Sequence, residues 1–133
     1  MKYTLNNAED ISNIRIHDSS FIGFEYKATE SNVCITCDND YFKKTYFLKF
    51  KNVICIHMQS CRFWGSGNSV QCMYIDDDKY IDDLRKEQNT NKELYGGSRL
   101  SDDTQIFAIS ILINSGDVLT VCCSEVEVEE IDR

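Results

Sequence analysis

The segment "TQIFAISILINSGDVLTVCCSEVEV" (104 to 128) constrains the fold most. Its first ten residues are apolar on both alternating faces, as a central strand covered on both sides would be. "NSGD" is a four-residue turn containing Gly, and "VLTVCCSEVEV" returns beside the first strand. The returning strand changes parity: Leu119, Val121 and Cys123 are apolar, then Val126 and Val128. A bulge or bend near Ser124 accounts for that switch.

Period two recurs through most of the chain. Val33, Ile35 and Cys37 share one face, and Tyr46, Leu48 and Phe50 share another. In "SFIGFEYKA", Phe21, Gly23, Glu25 and Lys27 alternate with Ile22, Phe24, Tyr26 and Ala28. "VICIHM" (53 to 58) follows "KTYFLKF" (44 to 50), with Lys51 and Asn52 between them. That junction is a bend, or one long strand crossing a sheet corner. "ATESN" (28 to 32) and "WGSGNS" (64 to 69) read as a turn and a loop, and "VQCMYI" (70 to 75) as a short strand. No proline interrupts any strand.

Two places leave this rhythm. Residues 8 to 13 form a helical turn for which Asn7 is a candidate cap. In 78 to 88, Ile81, Leu84 and Arg85 fall at helical spacing, Asp78 is a candidate cap, and Asp82 faces Lys86 at i,i+4. "QNTNKELYGGSRLSDD" (88 to 103) then reads as a long polar loop. The expected fold is mainly β: an antiparallel β-sandwich or open barrel of about seven strands with one short helical insertion. All 133 residues belong to one domain by length.

Charge narrows the function classes. The net charge is −8. "DDDKYIDD" (76 to 83) has five Asp and one Lys, and "EVEVEEIDR" (125 to 133) has four Glu, one Asp and one Arg. These two stretches hold the whole excess. A phosphate backbone is a poor partner for this distribution, and a basic protein is a good one. The candidate contact residues are Asp76, Asp77, Asp78, Asp82 and Asp83 in the first stretch, with Glu125, Glu127 and Glu129 in the second. No cationic partner for the Glu row stands in its local sequence. "YFKKTYFLKFK" interleaves lysines with aromatics as single-strand binders do, but overall acidity argues against nucleic acid.

Catalytic and metal chemistries fail on spacing. His17, Asp18 and Ser19 are consecutive, and neighbours in an extended chain point to opposite faces, so they read as a strand-entry device. Cys34 and Cys37 have C-x-x-C spacing within a strand, which opposes them, and the adjacent Cys122 and Cys123 diverge likewise. Counted from Asp76, an EF-hand loop matches at Asp78 and Glu87, but Tyr80 and Ile81 fall where an oxygen ligand and Gly are required. "GSG" (65 to 67) lacks the third Gly and the Lys of phosphate-binding loops. No catalytic residue, metal or cofactor is expected. Seven cysteines, an odd number, with no secretion signal read as reduced thiols in the cytoplasm. No apolar run is long enough for a membrane helix.

At "RIHDSSFIGFEY", "KTYFLKFKNVICI", "CRFWGSG" and "IFAISILINSGDVLTVCCSEVEV" the chain resembles a loose group of small bacterial β-rich proteins. That group includes immunity proteins of polymorphic toxin systems. The resemblance implies a cytoplasmic binding protein and carries over no catalytic residue. Residues 76 to 103 have no counterpart in the shared pattern. A second expectation is a small-ligand-binding β domain with a pocket lined by His17, Trp64 and Tyr74. A third is self-association through an exposed edge strand.

Overall fold

The computed structural model describes residues 1–59, 65–90 and 105–133. Cys61 and Trp64 lie outside the described residues, as does the expected polar loop from residue 91 onward. Two antiparallel sheets face each other. One carries five strands in the order β1-β9-β4-β3-β2, the other four in the order β5-β8-β7-β6. These are β1 (Lys2–Tyr3), β2 (Ser20–Lys27), β3 (Asn32–Asn39), β4 (Lys44–Lys51), β5 (Cys55–Gln59), β6 (Val70–Ile75), β7 (Phe107–Ile113), β8 (Val118–Cys123) and β9 (Glu125–Asp132). Among the described residues one α-helix, α1 (Lys79–Thr90), lies between β6 and β7. The fold is thus a sandwich. Among the described residues it has nine strands where patterning suggests about seven, because β1 is only two residues long and the returning strand divides into β8 and β9.

The division at Ser124 explains the parity switch. β8 belongs to the four-stranded sheet and β9 to the five-stranded one. Leu119, Val121 and Cys123 enter the core from one side, Val126 and Val128 from the other. The β4–β5 junction crosses at the same corner. β4 pairs with β9, and β5 with β8, so a two-stranded ribbon bends over the core as a unit. Asn52 donates from Nδ2 to Ser124 Oγ at 2.7 Å, and the Ser124 amide donates to the Lys51 carbonyl at 3.1 Å.

Asn52 has φ 54°, in the left-handed region where a β-branched side chain is strained. Replacing Asn52 with valine should cost about 2 kcal/mol, from that strain and the lost corner bond. Replacing it with glycine should cost less, and urea unfolding of the two variants measures the difference. At the other end of β8 the turn 114 to 117 uses Gly116, at φ 91°, to reverse the chain.

The core between the sheets takes the alternating residues of every long strand, with Tyr46, Phe50 and Phe107 the largest fully buried side chains among the described residues. Ala8 and Ile11, on the short 3₁₀ segment Ala8–Asn13, close one end. Asn7 does not cap this segment. Its Oδ1 accepts from the Thr4 amide at 2.8 Å and its Nδ2 donates to the Lys2 carbonyl at 3.2 Å, tying down the preceding loop instead. In β2 a bulge between Phe21 and Gly23 shifts the register. Phe21 is therefore buried while Ile22, Phe24 and Tyr26 remain exposed along a sheet edge. The bulge, with Glu25 and Lys27, discourages pairing of that edge with another chain.

α1 begins and extends slightly differently from its sequence signals. The Lys79 amide is met by Asp77 Oδ1 at 3.0 Å, while Asp78 contributes its carbonyl to the Asp82 amide. Residues 88 to 90, expected in the loop, continue the helix. Among the described residues no helix is long and apolar enough to cross a membrane.

Candidate functional site

The His-Asp-Ser corner comes together only in part. His17 Nδ1 and Asp18 Oδ2 are 3.0 Å apart, and both side chains are exposed. Ser19 turns the opposite way and is buried, where its Oγ accepts from Asn39 Nδ2 at 3.2 Å. The left-handed Asp18, φ 66°, produces this divergence. Its amide donates to the Val70 carbonyl, and the Val70 amide donates to the Ser19 carbonyl, fastening the start of β2 to β6. The corner is a strand-entry device, with the Ser19 hydroxyl turned away from the imidazole. Asn39, to which no sequence motif points, is its organiser. It is buried, donates also to the His17 carbonyl at 3.1 Å, and accepts from the Phe42 amide at 2.9 Å.

His17, with Arg15, Asp18, Asn39, Tyr41 and Phe42, lines a hollow of about 360 Å³. Tyr74 lies elsewhere. It pairs with Ser110 across β6 and β7, and Ser110 faces away from the core, toward Asp76. Burial, then the Asp76 carboxylate, raises the Tyr74 phenol above its ordinary pKa. Of the pocket residues expected from the sequence, His17 lines this hollow, Tyr74 is not among its lining residues, and Trp64 is outside the described residues.

The two acidic stretches occupy opposite outer faces of the sandwich. Glu125, Glu127 and Glu129 alternate with the buried Val126 and Val128, so they face out from the five-stranded sheet. Cations distant in sequence meet them. Lys51 Nζ is 3.2 Å from Glu125 Oε2 and 2.8 Å from Glu127 Oε1, and Lys2 is 3.6 Å from Glu127. Further along β9, Lys44 joins Glu130 at 3.2 Å and Asp132 at 3.5 Å. Glu129, opposite Phe47, makes no ion pair among the described residues. Each such surface pair adds little stability, but together they largely neutralise the field of the tail.

The hydrogen bond from Lys51 holds the Glu127 carboxyl below its ordinary pKa, assisted by the charges of Lys51 and Lys2. Because the folded-state value is depressed, the associated stability is present above the unfolded value. It is lost as pH falls through the folded one. A carbon-detected NMR titration should therefore place Glu127 below the ordinary glutamate value, and Lys51→Met should raise it back toward that value. An unchanged Glu127 midpoint in the variant would contradict the pairing.

The other stretch differs. Asp76 is engaged inward: its Oδ2 accepts from Ser110 Oγ at 2.6 Å and its Oδ1 from the Asp77 amide at 2.8 Å. Ser110 Oγ in turn meets Thr120 Oγ1 at 2.7 Å, forming a polar chain on the floor beneath α1. Asp77, Asp78, Asp82 and Asp83 are exposed, and none makes an ion pair among the described residues. The helix packs Ile81 against Ile106, Ala108 and Cys122, with Tyr80 alongside, on the outer face of the four-stranded sheet. The Tyr80 ring lies 5.1 Å from that of His57.

All six described cysteines are free thiols. Cys34 faces outward and Cys37 into the core, and Cys122 and Cys123 fall in different apolar clusters, as alternation requires. Burial pushes the Cys37 and Cys123 thiols up to about 12. Among the described residues no group of three His, Cys, Asp or Glu is placed to hold a metal ion.

No protein-family model matches the chain, and no curated protein matches it.

Proposed function

We propose that this chain is a non-catalytic binding module that takes a basic protein partner on the exposed acidic face at the start of α1. The observation that carries this reading is the set Asp77, Asp78, Asp82 and Asp83. These carboxylates are exposed together and unmatched by cations among the described residues, while the tail's are largely matched. Unmatched charge projects a field into solvent and speeds encounter with an opposite surface. A cytoplasmic immunity protein that blocks a basic toxin would work this way, and the resemblance at "RIHDSSFIGFEY" and the closing hairpin supports that form of the proposal. The burial of the Ser19 hydroxyl away from His17 supports the non-catalytic part.

Co-purification from the native cell at low and at high salt, with mass spectrometry of the eluates, tests the reading. A basic protein should be retained at low salt and released at high salt. Retention of no basic protein, or of one indifferent to salt, would reject it.

A further inference from the structure

Cys55 and Cys122 are direct partners in the antiparallel pairing of β5 with β8. Direct partners hold their Cβ atoms about 4.5–5.5 Å apart. A disulfide needs about 3.5–4.5 Å, so an adjustment of about one ångström suffices. Both side chains leave the sheet on the face covered by α1, in the apolar cluster with Ile81, Ile106 and Ala108. As register partners on one face of the sheet, the two thiols are placed to hydrogen-bond to each other. Cys122 is fully buried, while Cys55, on an edge strand, keeps partial exposure. The hydrogen bond lowers the pKa of Cys55 against the opposing effects of burial and the Glu87 charge, and it raises that of Cys122. Donation from the Cys122 thiol to the Cys55 sulfur explains both directions, since it favours thiolate on the accessible partner.

We propose that Cys55 and Cys122 form a redox site that reduces a hydroperoxide and closes into a reversible cross-strand disulfide. The Cys55 thiolate attacks one peroxide oxygen. The S–O bond forms as the O–O bond breaks, the leaving oxygen takes a proton and departs as alcohol or water, and Cys55 becomes a sulfenic acid. The Cys122 sulfur then attacks the Cys55 sulfur. The S–S bond forms, the S–O bond breaks, and the departing hydroxide takes the Cys122 proton and leaves as water. Two thiols are oxidised, and the hydroperoxide is reduced by two electrons. A small-molecule dithiol reverses the change by thiol–disulfide exchange.

Treatment of the purified full chain with one equivalent of hydrogen peroxide, followed by alkylation and peptide mass spectrometry, tests this. The expected product is a Cys55–Cys122 cross-linked peptide that dithiothreitol removes. Before oxidation, Cys55 should alkylate at neutral pH at least about tenfold faster than Cys37, whose thiolate fraction burial suppresses. In Cys122→Ser the reaction should stop at a Cys55 sulfenic acid that dimedone traps. Because Cys122 is fully buried, circular dichroism checks that this variant folds, and the wild-type cross-link map decides the question without it. A cross-link from Cys55 to any other cysteine would overturn the proposal. So would oxidation of Cys34 or Cys72 while Cys55 and Cys122 stay fully alkylatable.

Discussion

Replacing Asn39 with alanine should lower the free energy of unfolding by about 3 kcal/mol. The side chain is 1% exposed and makes three hydrogen bonds, to the His17 carbonyl, the Ser19 hydroxyl and the Phe42 amide. Truncation leaves all three groups without that partner, and Ser19 is fully buried. A buried polar group left unsatisfied costs about 1–3 kcal/mol, and water reaching the more exposed groups holds the sum below three full penalties. His17→Ala is the control. The imidazole is 67% exposed, and Asn39 grips the backbone carbonyl, which any residue supplies. That variant should fall within about 0.5 kcal/mol of the parent. Urea unfolding followed by circular dichroism compares them. Equal stability of the two variants would mean that Asn39 does not organise the corner.

The second large effect concerns association. Changing Asp77, Asp78, Asp82 and Asp83 together to asparagine should slow association with the basic partner recovered at low salt by about 10- to 100-fold. The rates of variant and parent should converge as salt rises, because a shorter Debye length removes the field that distinguishes them. Asparagine at 77 keeps an acceptor for the Lys79 amide, so the helix start survives. Changing Glu125, Glu127 and Glu129 to glutamine should alter association far less, since Lys51 and Lys2 already offset Glu125 and Glu127. Stopped-flow measurements at several salt concentrations separate the two faces. If the tail variant slows as much as the helix variant, the steering face is misplaced. If neither slows, the electrostatic reading fails.

The strands were legible because their signal is local. Side chains alternate across a sheet with period two, so Val33, Ile35 and Cys37, or Tyr46, Leu48 and Phe50, declare their buried face with no knowledge of a neighbour. The same rule opposed Cys34 to Cys37 and exposed the change of face at Ser124. It also placed the helix, because Ile81 breaks period two in favour of helical spacing. Candidate surface residues were only partly legible. All the acidic positions stood in the sequence, but which of them remain available did not. Asp76 is taken up by Ser110, 34 residues away, and Glu127 by Lys51, 76 residues away.

Composition and alternation by themselves determined an antiparallel β domain, its main turns, its helical insertion and its two acidic stretches. Register across the sheets, which only the tertiary structure decides, set the rest. It put Lys51 over Glu125 and Glu127, Cys55 beside Cys122, and Asn39 behind the His-Asp-Ser corner. The physical reason is that a strand's pattern states which face it buries but leaves open which strand lies next to it. That choice follows from how a two-stranded ribbon folds over a shared core, through contacts between residues far apart in the chain.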